Sequence, residues 1–116
     1  MDPIDGTTNY ASGVPWWAVN VALYHRAEPL LAVTAHMPYG ELFWAEAGGG
    51  AWRIWPDGRT EQMRVSGAES LGVGLVGTGF PSHRGQNADD NRREHHRIVP
   101  LCRDIRRMGS AALDLA

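Results

Sequence analysis

The sequence has no lysine, a single cysteine and no long apolar run, and the last two features narrow the class of protein. Cys102 stands alone among 116 residues, which excludes an internal disulfide and makes a reducing compartment the default. Its apolar neighbours predict a buried structural thiol. No apolar run approaches the roughly 18 residues that a membrane helix needs, and the first residues do not follow a signal-peptide pattern. We therefore expect a cytoplasmic protein with no membrane partner.

The charge balance argues against nucleic acid as a partner. All eleven basic residues are arginines, and the thirteen acidic residues leave a formal net charge of −2 at pH 7. Strong binding to a phosphate backbone needs an excess of positive charge that this chain does not carry. Seven of the arginines lie between Arg84 and Arg107, and we interpret them as a solvated, salt-bridged helix face.

The N-terminal half has the pattern of a β meander. A hydrophobic fraction of 43% and five tryptophans are enough for a packed core. Short apolar runs alternate with turn signals such as Pro38-Tyr39-Gly40-Glu41 and Pro56-Asp57-Gly58. The turn-rich residues 1–13 predict a loop with one helical turn. The sequence therefore predicts an antiparallel sheet with strands within 14–24, 30–36, 42–45, 51–55 and 62–65.

The C-terminal half predicts two further strands around a helix. Residues 72–78 are small and apolar and predict a buried strand, and a short strand is expected at 105–108. Between them, apolar residues recur at helical spacing and predict a helix over 89–103. Asn87 or Asp89 is the expected N-cap of this helix.

Proline and serine mark where helices end and begin. Pro100 lies inside the predicted helix and should kink or shorten it. Ser110 is the expected N-cap of a last helix that starts at the next residue. The sequence opens on a chemical motif and closes inside this last helix. We therefore expect one partial domain, residues 1–116, truncated at both ends.

The chemistry is concentrated in the first residues. Asp2-Pro3-Ile4-Asp5 carries two carboxylates on a stretch stiffened by proline, and they can converge where the backbone turns. Mg²⁺ prefers carboxylate, carbonyl and water oxygens, so Asp2, Asp5 and the Ile4 carbonyl are candidate ligands. Successive amides in Gly6-Thr7-Thr8 can hold a phosphate. Metal beside phosphate indicates phosphoryl transfer, although the bare spacing is also common in ordinary turns.

The longer string is more specific. Asp2 to Asn9 resembles the D-P-[IL]-D-G-T-x-N signature of the lithium-sensitive, metal-dependent phosphatases, and its last three residues are similar to the inositol monophosphatase branch. The likeness extends along the chain through Val14-Pro15, Ala18 to Ala22, Gly40 to Phe43, Gly48 to Trp52, Gly77 to Pro81 and Arg106 to Asp114. By these motifs the chain is identified as a member of the inositol monophosphatase family.

The resemblance implies a fold and a metal site. The fold is α+β, part of a layered α-β-α-β-α architecture in which helices flank a meandering antiparallel sheet. Asp2 would bridge two Mg²⁺ ions, and Asp5 and the Ile4 carbonyl would each bind one of them. The amides of Gly6 and Thr7 would hold the phosphate, with the Thr7 hydroxyl near the attacking water.

The resemblance also implies a substrate and a homodimeric parent protein. Gly109, Ser110 and Ala111 would contact the alcohol part of a small phosphorylated substrate, first of all inositol monophosphate. Open alternatives are a related phosphatase acting on histidinol phosphate, a 3′,5′-bisphosphate nucleotide or fructose 1,6-bisphosphate, and an inactive fragment that serves as a binding or oligomerisation module. Family members use further acidic residues outside this stretch, so we expect little activity from the chain alone.

Overall fold

The computed structural model describes residues 1–81 and 90–116, and a six-stranded antiparallel sheet dominates the first of these ranges. The strands follow one another in chain order across the sheet. They are β1 (Asp2–Asp5), β2 (Ala18–His25), β3 (Glu28–His36), β4 (Glu41–Glu46), β5 (Gly50–Ile54) and β6 (Thr60–Gln62), with helix α1 (Thr7–Ala11) between β1 and β2. The predicted α+β class and the meandering antiparallel sheet are confirmed.

The sheet register divides the side chains between two faces. Asn20 pairs with Thr34, and Thr34 pairs with Phe43, so these three lie on one face. Val21, Val33 and Trp44 pair in the same way on the other face. The first face contains the most deeply buried sheet residues, which are Ala18, Thr34 and His36. Val21 and Leu23, apolar residues of the alternation seen in the sequence, lie on the second face and are 45% and 55% exposed. The alternation therefore predicts a strand correctly, but its apolar side is the more exposed face of the sheet.

The prediction of a loop over residues 1–13 is wrong for its first part. Asp2–Asp5 forms strand β1, in which Asp2 pairs with Asn20 and Asp5 with Ala18 across an irregular register. The missing N–H of Pro3 is tolerated because β1 is an edge strand of the sheet. The pairing partner lies far along the chain, so local turn composition could not reveal it. The predicted helical turn is present as α1.

Residues 66–108 form a second compact unit, while residues 1–65 and 109–116 form the first. The second unit contains strands β7 (Leu75–Gly77) and β8 (Asp104–Arg106), which pair in parallel, and helix α2 (Arg92–Ile98). The strand predicted over 72–78 is shorter because Leu71–Val73 forms a 3₁₀ turn. The proposed N-caps Asn87 and Asp89 lie outside the described residues.

Helix α2 is shorter than predicted, and proline explains its end. Pro100 has no N–H to offer the carbonyl of His96, and the helix stops at Ile98. Leu101 then donates to the Ile98 carbonyl at 2.9 Å, a tighter turn. Cys102, expected to be buried, is only partly so. None of the helices in the described ranges has the length and apolarity needed to cross a membrane.

A buried polar network closes one end of the sheet. His36 is only 3% exposed, and its Nε2 lies 3.3 Å from the Pro15 carbonyl oxygen while its Nδ1 lies 3.5 Å from Glu41 Oε2. Arg53 Nη2 donates to the other oxygen of Glu41 at 2.5 Å. The ring of Trp16 packs edge-on against His36. Glu41 therefore joins strands β3 and β5 through one carboxylate that is largely removed from water.

We expect Glu41→Gln to lower the free energy of unfolding by about 2 kcal/mol, because it leaves the Arg53 guanidinium without a counter-charge in a partly buried site. Urea unfolding followed by circular dichroism measures the change. Glu46→Gln, an exposed change of the same kind on the same strand, should stay within about 0.5 kcal/mol of the unmodified chain. Equal losses in both variants would contradict the prediction.

Candidate active site

A sharp corner between β1 and α1 carries the predicted catalytic residues. Gly6 makes the corner with φ at +83°, a left-handed conformation that glycine adopts without steric cost. Asp5 precedes it and is partly buried, while Asp2 and Thr7 are exposed. The Thr7 hydroxyl donates to the Ile4 carbonyl at 2.8 Å. The side chain of Asp2 accepts from the Ile4 amide at 3.1 Å, which folds it back along its own strand.

The segment after β8 returns to this corner. Ser110, fully buried, donates its hydroxyl proton to Asp5 Oδ2, and the Ala112 amide donates to the same oxygen at 2.9 Å. The Leu113 amide donates to Ser110 Oγ at 3.4 Å, which confirms Ser110 as the N-cap of helix α3 (Ala111–Asp114). A single carboxylate oxygen thus ties the start of the chain to residues more than a hundred positions away.

Two glycines make the close approach possible. A Cβ on Gly6 would lie 3.0 Å from the Trp16 carbonyl oxygen and 3.3 Å from that of Gly109. Gly109 has φ at +90°, and a Cβ there would lie 3.0 Å from Asn9 Nδ2. Asn9 Nδ2 in turn donates to the Trp16 carbonyl at 2.8 Å. The corner, the loop at Trp16 and the returning segment are therefore packed without spare space.

The donor types at this corner suit a hard cation. Asp2, Asp5 and the Ile4 carbonyl offer only oxygen, the element that Mg²⁺ prefers. Both hydrogen bonds to Asp5 use Oδ2, so the second carboxylate oxygen is the one left to a ligand. Residues 1–81 and 90–116 contain no group of three His, Cys, Asp or Glu side chains that could hold a metal by themselves. Further ligands would have to come from water or from other residues.

The structure brings some predicted residues together and gives others a different setting. Asp5, Gly6, Gly109 and Ser110 meet at one junction. Ala111 is exposed beside them, at the start of α3. The resemblance implied that Gly109, Ser110 and Ala111 contact the alcohol part of the substrate, and in the structure the Ser110 hydroxyl donates to Asp5.

Asn9, Trp16 and Asp114 are the neighbours that sequence reasoning did not single out for the site. Partial burial raises the pKa of Asp114 above its usual value, and the negative charge of Asp5 adds to this. The nearby Trp16 indole N–H acts in the opposite direction and lowers the pKa of Asp114. This N–H is buried, and among the described residues it has no hydrogen-bond partner of normal geometry. The only sequence signal for Asn9 was its place at the end of the signature.

Comparison with known proteins identifies relatives of the whole chain. The sequence model of the inositol monophosphatase family matches residues 1–116. The chain is 38% identical to an inositol-1-monophosphatase of Rhizobium meliloti over 116 residues and 41% identical to the Nus factor SuhB of Pseudomonas aeruginosa over 118 residues. The solved structure of an Anabaena inositol monophosphatase superposes with a TM-score of 0.87 at 38% identity, covering 97% of the chain and 43% of that protein.

The matches cover all of this chain but less than half of each relative. The matches take in 100% of this chain but 42% of each of the two relatives from Rhizobium and Pseudomonas. The chain therefore spans less than half the length of the curated relatives that it matches.

We expect Gly109→Ala to destabilise the first unit by about 2 to 3 kcal/mol, since it adds a contact with Asn9 to the cost of a left-handed alanine. Gly13→Ala is the matched control, because Gly13 has φ at +71° and nothing within 4 Å of its added Cβ. The control should lose only about 1 kcal/mol. Urea unfolding of both variants measures the difference, and losses of the same size would rule out the packing argument.

Asp114 should make stability depend on pH. Because its folded pKa lies above the ordinary value of 3.8, its contribution to stability is full below pH 3.8 and is lost as the pH rises through the folded value. Asp114→Asn removes this loss, so the variant should gain on the unmodified chain as the pH rises from about 3.8 towards neutrality. Unfolding measured across this range tests the sign. Glu28→Gln, an exposed hairpin change, is the control, and parallel curves for Asp114→Asn would contradict the prediction.

Proposed function

The chain belongs to the inositol monophosphatase family, and from this we propose that the protein hydrolyses a phosphate monoester in a Mg²⁺-dependent reaction, with inositol monophosphate as the substrate. The observation that most supports the proposal is the corner at Gly6. There, a strand carrying two carboxylates meets the segment that begins at Gly109. Carboxylate oxygens and a tight glycine corner are what a metal and a phosphate require at adjacent points.

Asp2, Asp5 and the Ile4 carbonyl would hold the cation. When bound, it would supply Lewis acidity for activating water and for stabilising the leaving alkoxide. The Ile4 carbonyl already accepts a hydrogen bond from Thr7 on one side, and a carbonyl oxygen has a second lone pair. The oxygen set is therefore compatible with the cation while the Thr7 contact is kept.

Thr7 is suited to orienting the attacking water. Its proton is directed at the Ile4 carbonyl, so the exposed hydroxyl oxygen faces outward as an acceptor. An acceptor beside the phosphate can hold one hydrogen of a water molecule and aim its lone pair at phosphorus. The amides of Gly6 and Thr7, at the turn into α1, would bind the phosphate oxygens.

The alcohol part of the substrate would lie against Gly109 and Ala111, both exposed on the other side of the junction. We further propose that the chain is one partial domain of the layered α-β-α-β-α architecture, in a cytoplasmic, homodimeric parent protein. The proposed partner is thus a small phosphorylated alcohol, and neither nucleic acid nor a membrane is required.

A chimaera tests the proposal directly. The matching stretch of the Rhizobium meliloti relative is replaced by these 116 residues, and phosphate release from inositol 1-phosphate is measured with and without Mg²⁺. We expect Mg²⁺-dependent turnover, and a loss of about a hundredfold or more in Asp5→Asn, because a ligand carboxylate supplies several kcal/mol of charge stabilisation. Asp57→Asn, in the exposed β5–β6 hairpin, should leave turnover unchanged.

The substrate alternatives are separated in the same assay. Histidinol phosphate, a 3′,5′-bisphosphate nucleotide and fructose 1,6-bisphosphate are offered at equal concentration, and faster hydrolysis of any of them would replace inositol phosphate as the substrate. A folded chimaera that releases no phosphate from any of the four would contradict the enzyme proposal. It would favour a binding or oligomerisation module, a reading that the Nus factor name of the Pseudomonas relative keeps open. The isolated chain should show little turnover.

A further inference from the structure

The hydroxyl of Ser110 has a role that substrate contact does not describe. We propose that Ser110 is a positioning residue that fixes the Asp5 carboxylate for cation binding. This inference rests on the metal-dependent function proposed above and assigns one residue a place within it. It concerns a side chain that has no exposed surface.

Burial and hydrogen bonding exclude Ser110 from direct ligand contact through its side chain. Ser110 has no exposed surface, and a buried hydroxyl is costly unless it is paired. A serine hydroxyl has one proton to donate, and this proton goes to Asp5 Oδ2. The Leu113 amide donates to the same hydroxyl oxygen. The Ser110 hydroxyl therefore forms its hydrogen bonds with Asp5 and with the first turn of α3, inside the protein.

Asp5 receives two donors on one oxygen. The Ser110 hydroxyl and the Ala112 amide both donate to Oδ2, and hydrogen bonds to an ionised carboxylate are stronger than neutral ones. Two donors at one oxygen hold the carboxylate plane in place, which sets the direction of Oδ1. A ligand whose orientation is fixed before binding loses less conformational freedom when the cation arrives, and such outer contacts affect metal affinity about 10- to 100-fold.

The surrounding packing keeps Ser110 where it is needed. The Ser110 Cβ and the Gly109 carbonyl oxygen would each lie 3.3 Å from a Cβ on residue 6, so the glycine there lets the two segments pack closely. Asn9 spans the gap between the Trp16 carbonyl and Gly109. Contacts with Gly6 and Asn9 thus hold the returning segment in place. The position of the Ser110 hydroxyl beside Asp5 is therefore set by tertiary structure and not by local sequence.

Mn²⁺ titration of the 116-residue chain, followed by paramagnetic broadening of the Asp5 and Gly6 amide signals in NMR spectra, tests the inference. Ser110→Ala removes the hydroxyl and should weaken the apparent Mn²⁺ affinity about tenfold. Ser110→Thr keeps the hydroxyl and should stay within about threefold of the unmodified chain, a rescue that a merely space-filling role would not produce. Ser12→Ala, an exposed serine at the end of α1, is the control and should change nothing.

The outcomes distinguish this inference from the function on which it rests. Equal Mn²⁺ affinity in Ser110→Ala and the unmodified chain overturns the inference, and so does an unmodified chain that binds no Mn²⁺. The proposed function is judged separately, by the turnover of the chimaera. If Ser110→Ala does not fold, Mg²⁺ titration of the unmodified chain replaces it. The Ala112 amide, which donates to Asp5 Oδ2, should then shift with Mg²⁺ while the Ser12 amide does not. An unmoved Ala112 signal overturns the inference.

Discussion

The hydrogen bonds between the Asp5 carboxylate and the Ser110–Ala112 segment are the contact on which the candidate site depends. They join residues 105 and 107 positions apart in the chain. Without them, Asp5 would be an ordinary carboxylate on an edge strand, and the segment that begins at Gly109 would not be held against Gly6. With them, a candidate metal ligand, the corner proposed to bind phosphate and the start of α3 share one junction.

The sheet makes this junction possible by fixing β1. Strand β1 lies at the sheet edge beside β2, and its irregular register places Asp5 opposite Ala18, the most deeply buried apolar residue of the sheet. The chain then reverses at Gly6, where a side chain would collide with the Trp16 carbonyl. The pairing with Ala18 and the glycine corner therefore place Asp5 where its carboxylate meets Ser110 and Ala112.

The sequence predicted what local patterns can specify. Alternating apolar residues gave the strands of the meander, and Ser110 was recognised as a helix cap from its type and position. It did not predict that Asp2–Asp5 is a strand, because that strand exists only through pairing with β2. Nor could it predict that Ser110 bonds to Asp5, since no spacing rule connects residues so far apart. Family resemblance named the candidate site residues, and the structure adds the hydrogen bonds that join Asp5 to Ser110 and Ala112.

The carboxylates at the junction have no arginine partner among the described residues. The described ion pairs use Glu41, Asp90 and Asp104, so in residues 1–81 and 90–116 no arginine is paired with Asp2, Asp5 or Asp114. Asp5 and Asp114 instead repel one another, which contributes to the raised pKa of Asp114. A site that gathers carboxylates without an internal cation is stabilised by an added one, because binding replaces repulsion with attraction. This repulsion between carboxylates supports the cation proposed for this corner.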